Sequence, residues 1–372
     1  MTIGAEREEL RGMIRLFLER RFPEAEVRRL MEDNLGYDPA VWSQMAVQLG
    51  LQGLAIPEEF GGSGFTHEEQ AIVFEEMGRA LAPCPFLATV GLAANALLHS
   101  GDDRAKRNHL PPIARGETLA TLAISEEFGG WSEQVVQLAA SRSQEQWTLR
   151  GTKRFVPDAH LASLILVVAR TSRGVSLFAV DSGASGLHVD VELTMDLTRK
   201  LARVTFNQTP ATLIGSEGEA WPGVRRALSL GSAALAVEAV GGAQRVLDMT
   251  VSYAKERIQF GRPIGSFQAI KHRLADMLVE IEFAKSAAYD AVHAAALEDP
   301  DFEVSASIAK AYCTDAYFHT AAEALQLHGG IGFTWEHPIH LFFKRAKSSQ
   351  IFLGSPAYHR DLVGKAIGIP GH

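Results

Sequence analysis

Apolar residues near the N-terminus recur at spacings of three and four positions, which places side chains on one face of an α-helix. The clearest set is Leu10, Met13, Ile14, Phe17 and Leu18. Farther along, Thr66 and Glu69 have the spacing of a capping box, which marks another helix start. Residues 1–115 are therefore predicted to form an N-terminal α-helical domain.

The pattern changes between residues 116 and 216, where short runs rich in Val, Leu, Thr and Phe are separated by Gly, Asp, Ser and Pro. Examples are TLATLAIS, SLILVVART, VSLFAVD and ARVTFNQ. Runs of this length with short connections predict a middle domain of antiparallel β-strands. Its size favours a small barrel or a sandwich of two packed sheets.

From residue 217 onwards the helical spacing returns. Pro222 fits the first turn of one long helix, and two more long helices are predicted over about 266–297 and 303–327. Their Ala-rich faces permit close packing, so a C-terminal four-helix bundle is expected. The complete prediction is an α+β multidomain chain with three domains: 1–115, 116–216 and 217–372.

Composition narrows the functional classes. The chain has 372 residues, 47% hydrophobic and 22% charged, with a net charge of −8. The acidic balance argues against a nucleic-acid-binding surface. Cys84 and Cys313 form no metal or redox spacing, which fits a reducing cytoplasm. The polar N-terminus predicts no signal peptide, and the least polar stretch, 228–243, is too short to span a membrane.

The stretch YAKERIQFGRPIGSFQAIKHRLADM, residues 253–277, interrupts the helical pattern. One helix ends near its glycines, and the next is predicted to begin at Ser266, whose hydroxyl suits an N-cap. The break carries four polar or aromatic residues: Arg257, Gln259, Phe260 and Gln268. A guanidinium group, amides and an aromatic ring suit a phosphate-bearing ligand. Alternatively, the segment is a helical hairpin whose arginine faces solvent.

A second glycine-rich stretch, EALQLHGGIGF, follows the last long helix and holds Gly329, Gly330 and Gly332. Glycines let backbone amides approach a ligand closely. The stretch is not a dinucleotide fingerprint, because that motif follows a strand and precedes a helix. A helix C-cap accounts for one of the glycines but hardly for all three. The nearby histidines lie across a turn and predict no metal site: His328, His337 and His340.

Together these features resemble the acyl-CoA dehydrogenase family. The likeness rests on two long motifs, ERIQFGRPIGSFQAIKHRLADM and ALQLHGGIGF, within the order of helical, β and helical domains. GLQGLAIPEEFGGSG, LAISE and GTKRFV also stand where that family has signature segments. The likeness covers essentially the whole chain.

The resemblance implies an FAD enzyme that oxidises an acyl-CoA, assembles as a dimer of dimers and passes electrons to an electron-transfer flavoprotein. In that family, FAD lies across a subunit interface. The residues here that match contacts to its adenosine diphosphate end are Arg257, Gln259, Phe260 and Gln268. A second matching set, which reaches the same region from the other subunit, is Gln326, Gly329 and Gly330.

The catalytic positions depart from the family. Its base is usually a glutamate in a segment close to IYEGTSQIQR, and the matching segment here is IFLGSPAYHR, with Leu353 at the base position. Some relatives keep the base on the earlier long helix, where this chain has Gly231, followed by Ser232. Neither leucine nor glycine can take a proton, so both usual base positions are empty.

The segments predicted to face the flavin ring depart as well. The family's TExxxGS pattern appears as SEEFGGW, residues 125–131, in which Trp131 would crowd an acyl pocket. The tryptophan-x-threonine contact appears as Phe155-Val156-Pro157, and Pro157 offers neither a hydroxyl nor an N–H. Ser125 and Phe155 are the residues of this domain that match flavin contacts.

Three functions are compatible with this pattern. In the first, the chain resembles the base-lacking subunits of bacterial steroid side-chain oxidation and works in a heteromer with a glutamate-bearing paralogue. In the second, it is a self-sufficient homotetramer with a displaced carboxylate. Glu238 is the candidate base, although it can instead be a helix glutamate paired with a neighbour. In the third, it is a non-catalytic structural subunit, against which the intact adenosine-end residues count.

Overall fold

Helices dominate both ends of the chain in the computed structural model, which describes residues 3–127, 129–144 and 146–369. In chain order they are α1 (Ile3–Arg21), α2 (Glu24–Glu32), α3 (Pro39–Val47), α4 (His67–Ala80), α5 (Asn95–Leu98), α6 (Asp103–Ala114), α7 (Trp221–Glu256), α8 (Gln268–Ala296), α9 (Phe302–His328), α10 (Ile339–Ile351) and α11 (Pro356–Ala366). A π-helical segment, Leu87–Ala94, precedes α5. None of the described helices has the length and apolar composition that crossing a membrane requires.

The middle of the chain is β-structure, as predicted. Its strands are β1 (Ala120–Ala123), β2 (Ala139–Ser143), β3 (Gln146–Pro157), β4 (Leu164–Thr171), β5 (Gly174–Asp181), β6 (Leu187–Glu192) and β7 (Leu201–Ile214). Most pairings are antiparallel, but β4 pairs in parallel with both β1 and β2. Short connections predict pairing only between strands that follow each other in the sequence. The pairings of β4 with β1 and β2 join strands farther apart and could not be predicted in this way. A further two-stranded hairpin is formed by β8 (Ile258–Gln259) and β9 (Arg262–Pro263).

The strands close into the predicted small barrel through the ring β4–β2–β3–β7–β5–β4. The β2–β4 seam rests on a single residue pair, Ala139 with Arg170. The Arg170 guanidinium reinforces this seam by donating to the carbonyls of Val136 and Glu133, each at 2.7 Å. Large apolar side chains from facing strands fill the interior: Leu149, Ile165, Val167, Phe178, Val204 and Phe206.

The described residues form two compact units. One comprises Met1–Arg29, His67–Ala82 and Ser232–His372, and its helices include α1, α4, α8, α9, α10, α11 and most of α7. The other comprises Leu30–Thr66 and Pro83–Gly231, and it holds the barrel with α3, α5 and α6. The predicted C-terminal bundle is confirmed in the first unit, where α9 packs against α8, α10 and α11.

Helices α4 and α7 touch backbone to backbone in the helical unit. A Cβ atom added at Gly241 would lie 1.8 Å from the carbonyl oxygen of Glu75, and one added at Gly78 would lie 1.9 Å from that of Glu238. Both distances are far below van der Waals contact, so only glycine fits at either position. The crossing therefore depends on two glycines, one in each helix.

Acidic side chains beside this crossing are buried and paired. Glu76, 2% exposed, accepts hydrogen bonds from Arg15 at 2.7 and 2.8 Å and from Arg11 at 3.2 Å. Glu75 accepts from Arg11 at 2.6 Å and from the Tyr289 hydroxyl. Buried carboxylates are tolerated when they are paired and hydrogen-bonded. These contacts join α1, α4 and α8 into one polar network.

The predicted start of α8 at Ser266 is wrong by two residues. Ser266 lies in a 3-10 turn, Ile264–Ser266, and its hydroxyl donates to the carbonyl of Pro263 at 2.7 Å. The helix begins at Gln268 with Phe267 as its N-cap. The serine hydroxyl therefore stabilises the turn before the helix rather than the helix end.

The close crossing makes Gly241→Ala a severe substitution. We expect the free energy of unfolding to fall by about 3 kcal/mol or more, because the added methyl group overlaps the Glu75 carbonyl and must force the helices apart. Thermal unfolding of the purified variants would measure this. Gly12→Ala is the control, since open space lies above that glycine in α1 and alanine should be neutral or stabilising there. Equal melting temperatures for the two variants would contradict the prediction.

Candidate functional site

Arg257 lies where α7 ends and the β8–β9 hairpin begins. Its backbone N–H donates to the carbonyl of Tyr253 at 2.9 Å, and its own carbonyl accepts from the N–H of Ile264 at 2.8 Å. The guanidinium group is exposed and makes no ion pair with any other residue in the described ranges. A fixed backbone with a free cationic end suits an anionic ligand.

The hairpin also presents an aromatic ring. Phe260 has a φ of +53°, which is uncommon for a residue other than glycine, and it is 92% exposed. Its ring meets Phe267 edge-on at 6.1 Å between centroids, and the Arg262 guanidinium lies 4.1 Å from the Phe267 ring centre. A strained and exposed aromatic residue indicates contact with a ligand or a partner.

The two predicted glutamine contacts lie on the same exposed segment. The Gln259 amide donates to the neighbouring carbonyl of Ile258 at 2.8 Å. Gln268 Nε2 lies 2.8 Å from Nε2 of His272, one turn along α8. Only local contacts hold these amides, so both side chains can turn toward a ligand.

The three glycines after α9 have different roles. Gly329 caps the helix with a φ of +62°, and its N–H bonds to the carbonyl of Gln326. Gly332 is tightly packed, since a Cβ there would lie 3.0 Å from the carbonyl oxygen of Leu325. A Cβ added at Gly330 would have no atom of the described residues within 4 Å, so the backbone there faces open space. Capping thus explains one glycine, and Gly330 leaves room for a ligand.

Tyr253 joins these two predicted nucleotide segments. It precedes Arg257 by one helical turn, and its hydroxyl donates to the carbonyl of His328 at 3.2 Å. The Tyr253 and His328 rings stack with centroids 4.4 Å apart and planes 24° apart. The Arg257 break and the Gly329 loop are therefore adjacent within a single chain. Sequence reasoning missed Tyr253, although its spacing of four from Arg257 was a usable signal.

The histidines around the loop are neutral near pH 7. Burial lowers the pKa of His328, His337 and His340 below the usual value. The rings of His328 and His337 lie 4.5 Å apart. Across the described part of the chain, no group of three or more His, Cys, Asp or Glu side chains is arranged to hold a metal ion.

A buried lysine organises the segment around Ser125 in the barrel unit. Lys153 is fully buried, and its Nζ donates to the carbonyl of Ile124 at 2.9 Å and to Oε1 of Glu126 at 2.7 Å. The same carboxylate oxygen accepts the backbone N–H groups of Gln137 and Leu138, each at 2.9 Å. Burial lowers the pKa of Lys153 to about 8, although Glu126 opposes this effect. Lys153 and Glu126 therefore hold this segment to β3.

Ser125 and Phe155 lie on segments that are hydrogen-bonded to each other. Ser125 is buried, and its carbonyl accepts from the N–H of Arg154 at 2.9 Å. Phe155 has a φ of +54° and is 39% exposed, and its N–H donates to Glu192 at 3.2 Å. The Arg154 guanidinium also bonds Glu192, at 2.7 Å, and lies 5.1 Å from the Phe155 ring centre. Phe155 is thus a second strained, exposed aromatic residue.

The remaining ring-facing positions are described only in part. Pro157 is buried, and its carbonyl accepts from the Thr121 hydroxyl at 2.6 Å. Trp131 is half-buried. Phe128 lies outside the described residues. The predicted contacts of this domain with a flavin ring stay predictions.

Comparison with known proteins gives the family. Models of the N-terminal, middle and C-terminal domains of acyl-CoA dehydrogenases match residues 4–117, 121–208 and 218–368. The chain is also 35% identical to acyl-CoA dehydrogenase IpdE2 of Mycolicibacterium smegmatis, over 95% of this chain and 96% of that protein. The chain belongs to the acyl-CoA dehydrogenase family. Members are flavin-dependent oxidoreductases that act on CH–CH groups.

Solved structures agree with this assignment. The chain superposes on a variant of the Tcur3481-Tcur3483 steroid ACAD with a TM-score of 0.89 and 32% identity, covering 98% of each chain. It also superposes on the ChsE4-ChsE5 complex from Mycobacterium tuberculosis with a TM-score of 0.90 and 27% identity, covering 100% of this chain and 99% of that one.

Leu353, which matches the usual base position of the acyl-CoA dehydrogenase family, lies in the turn between α10 and α11. It is 3% exposed and has a φ of +60°. The buried Lys310 amine donates to the carbonyls of Gln350 (3.2 Å) and Gly354 (2.7 Å), and His359 Nε2 lies 3.0 Å from the Leu353 carbonyl. Burial lowers the pKa of Lys310 to about 7 and that of His359 to about 4. The turn is firmly held but carries an apolar side chain.

The second base position of the family, Gly231, lies buried in α7. Glu238, two turns later, is 5% exposed, and its Oε1 accepts from Nη1 of Arg345 at 2.8 Å. Arg345 is itself only 3% exposed. A buried carboxylate bonded to a buried guanidinium is typical of a structural ion pair. This contact favours the alternative weighed for Glu238 from the sequence, and its role as a base stays a prediction.

Lys310→Met tests the hydrogen bonds that the buried Lys310 amine makes to the turn around Leu353. The pKa of Lys310 is about 7 in the folded chain and that of an unperturbed lysine is 10.5, so the unfolded chain binds more protons between these values. Stability should therefore rise with pH from about 7 toward 10.5, by up to about 1.4 kcal/mol per pH unit from this group. In Lys310→Met this contribution is absent.

The measurement is the change in melting temperature between pH 7 and pH 9. It should be smaller in Lys310→Met than in the wild type. Lys285→Met, which alters an exposed lysine of α8, should keep the wild-type change. The assignment of Lys310 would be wrong if all three proteins responded to pH equally.

Proposed function

We propose that this chain is an FAD-binding subunit of a heteromeric acyl-CoA dehydrogenase that carries out α,β-dehydrogenation of an acyl-CoA thioester. A glutamate-bearing paralogue supplies the catalytic base. One contrast carries the proposal: the residues matching contacts to the adenosine diphosphate end are present and free to bind, whereas the two base positions hold Leu353 and Gly231.

The geometry of the adenosine end fits this cofactor. Arg257 offers a guanidinium that is unpaired within the described residues to the diphosphate, and Gly330 leaves open space for close backbone approach. The amides of Gln259, Gln268 and Gln326 lie on exposed surface. When bound, FAD would accept the hydride from the acyl chain. The protein side chains named here would hold and orient its nucleotide end.

The missing base supports a division of labour between chains. Abstraction of an α-proton needs a carboxylate within hydrogen-bond reach of the substrate carbon. Leu353 cannot provide it, and the Glu238 carboxylate is already bonded to Arg345. The names of two similar structures, the Tcur3481-Tcur3483 steroid ACAD and the ChsE4-ChsE5 complex, each join two different proteins. This supports a heteromer here as well.

The remaining parts of the proposal follow the family. Domains 1–115, 116–216 and 217–372 would correspond to its three domains, and the matched ranges 4–117, 121–208 and 218–368 support these boundaries. The assembly would be a dimer of dimers, and an electron-transfer flavoprotein would accept the electrons. Ser125 and Phe155 are proposed to face a flavin ring.

Arg257→Ala tests the cofactor contact. Loss of a charge-assisted hydrogen bond to phosphate should weaken FAD binding by about 10- to 100-fold. The bound flavin is measured in the complex with the co-expressed paralogue, by its visible absorption after gel filtration at several protein concentrations. Arg245→Ala, about three turns earlier in α7 and also exposed, is the matched control and should retain flavin. Equal retention in both variants would remove Arg257 from the site.

Co-expression tests the heteromer. The chain produced alone should retain little flavin, because FAD would be seated mainly in the partner chain. It should show no acyl-CoA oxidation, because its own base positions are empty. Co-expression with a paralogue that keeps the glutamate should give a yellow complex that is active. A purified homotetramer of this chain whose FAD is bleached by an acyl-CoA would refute the proposal.

A further inference from the structure

Tyr253 is bonded to both segments that the proposed function assigns to the nucleotide. Its main-chain carbonyl accepts the N–H of Arg257 at 2.9 Å, and its hydroxyl donates to the carbonyl of His328 at 3.2 Å. His328 directly precedes Gly329 and Gly330. Tyr253 therefore connects the backbone at Arg257 with the backbone just before Gly330.

His328 fixes the other side of this connection. Its Nδ1 bonds to the carbonyl of Ala324 at 2.7 Å, so Nδ1 carries the hydrogen and the ring orientation is set. The ring packs against Tyr253 on one side, at 4.4 Å, and approaches His337 at 4.5 Å. Nε2 of His328 is buried and has no hydrogen-bond partner among the described residues. The His328 ring therefore contributes by packing against Tyr253, and we assign it no hydrogen bond to a ligand.

The parts of each segment that would face the nucleotide have few packed contacts of their own. Arg257, Gln259 and Phe260 are exposed, and the hairpin that carries them is only two residues long on each side. At Gly329 and Gly330, an added Cβ would meet no atom of the described chain within 4 Å. Loops with few packed contacts lose more entropy on binding unless a fixed anchor orders them beforehand.

We propose that Tyr253, through its contact with His328, is a positioning residue that holds the Arg257 break and the Gly329–Phe333 segment of one chain in register, so that a single subunit offers both to one nucleotide diphosphate. The family resemblance implied instead that the two segments reach the cofactor from different subunits. This inference rests on the proposed function. Tyr253 does not touch the nucleotide itself. Its role is to reduce the entropy that the two segments lose on binding. It also sets the distance between the Arg257 guanidinium and the Gly330 backbone.

Tyr253→Phe is the test, because it removes the hydroxyl and keeps the ring stacked on His328. ADP is the probe, and its binding to the full-length chain is measured by calorimetry. Affinity should fall by about 3- to 10-fold, the range expected for the loss of one hydrogen bond. Tyr312→Phe is the matched control on α9, where no hydrogen bond of the tyrosine hydroxyl to another described residue is present, and it should bind ADP like the wild type.

Hydrogen–deuterium exchange measured without nucleotide tests the Tyr253–His328 contact independently of the cofactor assignment. In Tyr253→Phe, exchange should rise in residues 327–333 and in the hairpin after Arg257, while distant helices keep wild-type protection. A purely structural role would raise exchange along α7 and α9 as a whole. Tyr253→Leu, which also removes the stacking, should enlarge the local increase and weaken ADP binding further.

The outcomes distinguish the two claims. If the wild-type chain does not bind ADP but Tyr253→Phe loosens both segments, the Tyr253–His328 contact orders them and the proposed cofactor site fails. If the wild type binds ADP and Tyr253→Phe matches it in both affinity and exchange, the positioning role is refuted and the cofactor site stands. A global rise in exchange would also refute the positioning role.

Discussion

The contact between helices α4 and α7 constrains the whole helical unit, because backbone atoms at Gly78 and Gly241 leave no space for a side chain. At this distance the side chains on either side of the crossing must point away from it. Glu75 and Glu76 reach α1, while Glu238 reaches Arg345 in α10. Arginines and a tyrosine hydrogen-bond these buried carboxylates, which makes their burial beside the close crossing tolerable.

Charged residues that support the fold differ from those proposed to bind a ligand in their burial and pairing. The buried carboxylates of Glu76 and Glu238 inside the helical unit are paired with arginines, and a paired buried group is poorly suited to exchange protons with a substrate. Arg257, in contrast, is exposed beside a strained and exposed aromatic residue. Phe155 has the same combination of positive φ and exposure in the barrel unit. Conformational strain of this kind is retained where a binding partner benefits from it.

Much of the fold could be predicted from local patterns. The spacing of apolar residues predicted α8 and α9 to within two residues, and alternating runs predicted the β domain. The parallel pairing of β1 with β4 could not be predicted, because strands distant in sequence leave no local signal. The motifs predicted the adenosine-end residues, and their contact with FAD stays a prediction. The contacts of Lys153 and Lys310 could not be predicted, because each is a lone polar residue whose partners become apparent only in three dimensions. The spacing of Tyr253 from Arg257 was a signal that sequence reasoning missed.

The barrel closes at a seam held by one residue pair between β2 and β4 and by the side chain of Arg170. A closed ring of strands has no free edge, but it opens first where the fewest hydrogen bonds must break. We therefore expect transient unzipping of the barrel to begin at this seam. The Arg170 side chain holds this seam closed. Its loss would expose the edge of β2 and the end of β4 beyond the residues that pair with β1, and a sheet with open edges tends to associate.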